Sequence, residues 1–149
     1  MKNSIVVIIT TIIIFLTLLV SPAFAGELYT LTLNTDPFNC NNKLQDIRWI
    51  NEGPPIKIKQ LTVWIGAQTG TIADIAACVY KVSTGTLLAA VGWDHYGNPK
   101  GLHQWTQDFG DNWVTIGTGD AISLQSFCNG FNGRSRKAHA QAWVYYLMD

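Results

Sequence analysis

From residue 29 onward, apolar and polar side chains alternate with a period of two, and this most narrows the folds open to the chain. In a strand, successive side chains point to opposite faces. Alternation therefore buries one face and wets the other, whereas a helix needs apolar residues at a spacing of 3.6. Tyr29, Leu31 and Leu33 alternate with Thr30 and Thr32. Ile56 and Ile58 alternate with Lys57 and Lys59, and then Leu61, Val63 and Ile65 take the apolar role one step out of phase. A slip of one residue would turn the second apolar set toward solvent unless the strand accommodates an extra residue. The pattern thus predicts a β-bulge near Lys59-Gln60.

Further strands are expected at 44–50, 72–82, 86–93, 102–107, 113–116, from 122, and 138–147. Turn signals separate them. Asn34 to Asn42 reads as a turn-rich loop, Gly53-Pro54-Pro55 stops the second strand, and 66–70 turns the chain. Ser83-Thr84-Gly85 closes a hairpin, Phe109-Gly110-Asp111-Asn112 turns, and Asn129-Gly130 and Asn132-Gly133 mark a loop. Eight or nine short strands, with no helical period and no repeat, point to an all-β fold. The architecture expected is a two-sheet antiparallel β-sandwich of jelly-roll type, with first and last strands side by side.

Residues 1–25 stand apart. Lys2 precedes an apolar run over 5–20, and Ala23-Phe24-Ala25 is a small-x-small cleavage pattern. This is the form of a secretory signal peptide. A retained anchor is the rival reading, since a membrane span needs roughly 17–25 residues. Cleavage leaves 149 less 25, or 124 residues, as one domain over 26–149 with no membrane span, secreted or periplasmic. Removing Lys2 from ten basic and ten acidic residues leaves a net charge near −1. Such a balance offers no electrostatic basis for binding nucleic acid. The basic run Arg134-Ser135-Arg136-Lys137 reads as a solvated turn.

Export implies an oxidising compartment, and three cysteines then imply one disulfide and one thiol. Cys40 and Cys128 occupy loop or strand-end positions and form the expected pair, while Cys78 is expected to be a small buried hydrophobe. No Cys-x-x-Cys or paired histidine spacing suggests zinc.

Residues 91–113 concentrate the chemistry. Trp93, Asp94, His95, Tyr96 and Asn98 give aromatic platforms and polar groups in one short run, and His103, Trp105, Asp108, Asp111 and Trp113 repeat the mixture. Rings can stack on the C–H face of a sugar while carboxylates, carboxamides and imidazoles bond its hydroxyls. The expected function is therefore non-catalytic glycan recognition by an exported domain. In architecture and composition the chain resembles carbohydrate-binding modules, although a fold alone does not set function. Two other classes compete. The same aromatics, or Trp143, Tyr145 and Tyr146 on an edge strand, suit docking onto a cell-surface protein. A small glycan-active hydrolase would need two facing carboxylates, for which Asp94 with Asp108 or Asp111 are the candidates. No cofactor is implied. Asp108, Asp111 and Asn112 offer oxygen donors of the type Ca2+ takes, but their spacing is not that of an EF-hand and suits a plain turn.

Overall fold

The computed structural model describes residues 26–67, 73–93, 102–130 and 137–148. Among these residues ten strands follow in order: β1 (Tyr29–Asn34), β2 (Phe38–Asn39), β3 (Asn41–Ile50), β4 (Ile56–Ala67), β5 (Ala73–Lys81), β6 (Thr86–Trp93), β7 (Leu102–Asp108), β8 (Val114–Ile116), β9 (Ala121–Gly130) and β10 (Lys137–Met148). One antiparallel sheet runs β1-β10-β4-β7, with β2 also on β10 and β8 also on β4; the other runs β3-β9-β5-β6. β2 continues the line of β1 along β10, and β8 that of β7 along β4. With each collinear pair counted as one strand, two four-stranded sheets remain. Every connection except the β5–β6 hairpin passes between them, which is the jelly-roll arrangement.

β1 pairs with β10 from Tyr29↔Tyr146 to Asn34↔Gln141, so the first and last strands are neighbours as expected. The bulge also lies where the phase slip puts it. β10 pairs β4 in one register up to Tyr145↔Gln60 and in another from Tyr146↔Ile58, leaving Lys59 as the extra residue. Ile56, Ile58, Leu61, Val63 and Ile65 are consequently all buried. They meet Ala138, Ala140, Ala142 and Val144 of β10 on the inner side of the same sheet, and Ile75, Val79, Ile122 and Leu124 of the other sheet complete the core. Small alanines on one strand beside branched residues on the next fill the interior without overpacking.

Cys40 follows β2 at the point where the chain leaves the first sheet, and Cys128 lies in β9 of the second. The two form a disulfide with a Cα–Cα distance of 4.6 Å. The pairing expected from sequence is present, and it fastens one sheet to the other. Two buried side chains replace missing ladder bonds. Thr35, where β1 gives way to β2, bonds both the N–H and the C=O of Ala140 through its hydroxyl. Asn51 donates to the carbonyls of Pro54, Ile116 and Gly117 and accepts from Gly53 N–H, tying the β3–β4 connection to the end of β8.

Several local expectations differ. β10 lies inside its sheet, between β1 and β4, so Trp143, Tyr145 and Tyr146 are not on an edge strand. β3 starts at Asn41 and β2 forms within the expected 34–42 loop, while β9 runs through Asn129 and Gly130 and β4 runs through Gly66. In each case ladder pairing satisfies backbone groups that a turn would leave to solvent, and this outweighs local turn preference. Cys78 is half-buried rather than core, because Ile75, Ala77 and Val79 take the inner positions and put Cys78 on the outer face. Burial holds its thiol pKa above the usual value, against a hydrogen bond from Tyr80 that lowers it.

Candidate functional site

The sequence-predicted site divides. Asp94, His95, Tyr96 and Asn98 lie outside the described residues, as do residues 1–25 and Arg134 to Arg136. Trp93 ends β6 in register with Ile75. His103 and Trp105 lie on β7 opposite Ile65 and Val63, and therefore on the inner side of their sheet. Trp105 is nevertheless 54% exposed, because β7 is the edge of the sheet among the described strands. His103 is half-buried.

Trp113, Asp108 and Asp111 belong to the excursion between β7 and β8, which the Lys59 bulge organises. Lys59 accepts the N–H of Phe109 at 3.0 Å through its carbonyl and donates from Nζ to Gly110 O at 3.0 Å. Its ammonium also sits 4.1 Å from the ring centre of Trp113, and that of Lys57 sits 5.4 Å away. Trp113 is 37% exposed and held by cation–π attraction. Asp108 Oδ1 accepts Gly110 N–H at 2.8 Å, the bond of a turn former, at a glycine whose φ of +54° few other residues adopt. Among the described residues, no group of three or more His, Cys, Asp and Glu is placed to hold a metal ion.

A larger constellation appears on the outer face of the β1-β10-β4-β7 sheet. Since Ala138, Ala140, Ala142 and Val144 point inward, His139, Gln141, Trp143 and Tyr145 point outward. Register places Thr30 and Gln60 beside Tyr145, Thr32 and Thr62 beside Trp143, and Asn34 and Trp64 beside Gln141. Thr106 and Gln104 extend the last two rows onto β7, with the hydroxyls of Thr62 and Thr106 bonded at 2.9 Å. Trp64, Trp143 and Tyr145 are half-buried, with no Lys, Arg, Asp or Glu between them; Asp108 extends the Tyr145–Gln60 row onto β7, and the Lys57–Lys59–Trp113 cluster lies at the end of this face.

Trp64 is seated by its neighbours. A Cβ on Gly66 would lie 3.3 Å from its Cζ2, so the indole reclines over a position with no side chain. His139 meets it edge-on, with centroids 5.1 Å apart and planes at 80°. The imidazole Nε2 is hydrogen-bonded to Asn34 Oδ1 across the β1–β10 pair. An indole laid along a sheet in this way keeps its other ring face available for stacking. Sequence reasoning missed this face, although the signal was present: in Ala138-His139-Ala140-Gln141-Ala142-Trp143-Val144-Tyr145, strict alternation with alanine assigns every larger residue to the solvent side.

The described residues contain no helix long and apolar enough to cross a membrane, and the Cys40–Cys128 bond is of a kind that persists in oxidising compartments. No family model matches the chain and no curated protein is similar to it. Solved structures are similar to it at low identity. The Tomato Aspermy Virus structure has a TM-score of 0.48 at 13% identity, covering 82% of this chain and 78% of that one. The decameric BFDV capsid protein has 0.41 at 13%, covering 83% and 99%. A family 6 carbohydrate-binding module has 0.36 at 11%, covering 80% and 86%. At these values the likenesses carry no argument about what this chain binds.

Proposed function

We propose that this is an exported, non-catalytic domain that binds a neutral polysaccharide across the outer face of the β1-β10-β4-β7 sheet. The observation that carries this reading is the composition of that face: Trp64, Trp143 and Tyr145 as half-buried platforms among threonines and carboxamides, with no charge between them. Trp143 and Tyr145 repeat at about 6.8 Å along β10, the spacing of alternate residues in a strand. Each indole or phenol covers the C–H face of a sugar ring, and Gln141, Gln60, Gln104 and Asn34 supply both donors and acceptors to hydroxyls.

Titration of the protein with neutral polysaccharides, followed by tryptophan fluorescence and calorimetry, tests the reading. Saturable binding to one class is expected, weakened about tenfold, or about 1.4 kcal/mol, in folded Trp64→Ala and Trp143→Ala variants. Trp105→Ala, on the inner side of the edge strand, should bind as well as the parent. Binding lost in Trp105→Ala or Trp113→Ala but kept in the other two would return the site to 93–113. No response to any polysaccharide would overturn the glycan reading.

A further inference from the structure

We propose that the opposite sheet, β3-β9-β5-β6, carries a second site: a cup on its outer face in which Arg48 receives the carboxylate of an acidic sugar. A depression of about 300 Å³ opens there, lined by Arg48, Tyr80, Val82, Gly85, Ser123 and Gln125. Register sets Arg48, Ser123 and Tyr80 side by side on β3, β9 and β5, and the β5–β6 turn closes one end.

Asp46, two residues before Arg48 on the same face, organises the cup. It accepts from Ser123 Oγ, from Arg48 Nε at 3.1 Å and from Arg48 Nη2 at 2.9 Å. Three such bonds occupy most of the acceptor capacity of one carboxylate. The Ser123 bond first, and Arg48 after it, hold the Asp46 carboxyl below the usual range against burial, so it is ionised at neutral pH. Asp46 is thus a clamp and not a ligand group. A guanidinium has five N–H donors, and two are spent on Asp46, so among the described residues three remain uncommitted. Lys81, which also lines the depression, is committed elsewhere: Nζ donates to Thr115 O at 2.8 Å and lies 3.5 Å from Asp120 Oδ2.

What the cup has left to offer is therefore rich in donors and fixed in direction. A planar carboxylate matches two parallel guanidinium N–H bonds, and a guanidinium already oriented loses less entropy on binding. The Tyr80 ring and the Val82 side chain provide an apolar wall for a saccharide ring bearing that carboxylate. The site lies on the sheet opposite the proposed polysaccharide face, so either can fail alone.

The test is amide-resolved NMR titration of the folded protein with methyl glucuronide, its neutral counterpart methyl glucoside, acetate, and a glutamyl peptide. Saturable shifts at Tyr80, Ser123 and Gln125 with the glucuronide are expected, at least tenfold weaker with glucoside or acetate. Arg48→Gln should weaken binding at least tenfold. Arg48→Lys, which keeps the charge without the fork, should weaken it severalfold, as should Asp46→Asn, which leaves the guanidinium unclamped. A dispersed spectrum confirms that each variant is folded. Equal affinity for glucuronide and glucoside, for glucuronide and acetate, or for the parent and Arg48→Gln would overturn the proposal, as would a preference for the peptide.

Discussion

Asn51 shows how much one buried carboxamide can organise. Its side chain bonds four backbone groups, and its own N–H and C=O bond Asp120 and Gly119 at 2.8 and 2.7 Å. Replacement by Ala would strip partners from Ile116 O, in a buried bond, and from Gly117 O. An unsatisfied buried polar group costs about 1–3 kcal/mol. Asn51→Ala is therefore expected to lower stability by about that amount in urea unfolding, while Glu52→Ala, at an exposed neighbour, changes little. Equal effects at the two positions would refute the assignment. Nothing in Asn51-Glu52-Gly53-Pro54-Pro55 beyond a turn signal announced this hub, because three of its partners come from the β8 end and from Pro54, and only folding brings them together.

Among elements, β4 is the one whose irregularity carries consequences. Its phase slip was legible because Ile56, Ile58, Leu61, Val63 and Ile65 must share one face. What the bulge does was not legible. Lys59, set out of the ladder, anchors the β7–β8 excursion through its carbonyl, its ammonium and the Trp113 ring. Deleting Lys59 would restore an unbroken alternation from Ile56 to Ile65 and so preserve the fold. The excursion would lose a backbone bond, a side-chain bond and a cation–π contact. We expect the deletion variant to keep its β-sheet circular dichroism, lose about 1–2 kcal/mol of stability, and show stronger acrylamide quenching of Trp113. Unchanged quenching in a Trp113-only background would refute the anchoring role.

At the scale of the whole molecule, the Cys40–Cys128 bond closes a loop of 88 residues across the two sheets. Cross-links over such spans restrict the unfolded chain and stabilise by about 3–5 kcal/mol. The Cys40→Ala/Cys128→Ala protein should unfold at correspondingly lower urea, and the oxidised protein, once unfolded, should titrate one thiol, that of Cys78. Three thiols would refute the bond. The alternation of side chains determined that the chain is all-β and where the bulge falls, because inward and outward positions are set by a local period of two. Which strands are neighbours was decided only in three dimensions. β10 became a central strand, so Trp143 and Tyr145 joined Trp64 on one face and not along an edge. Asp46, Arg48, Tyr80 and Ser123, drawn from three strands, met in one cup. Pairing between distant strands depends on backbone bonds that every residue offers alike, and a one-dimensional pattern of side chains does not encode their order.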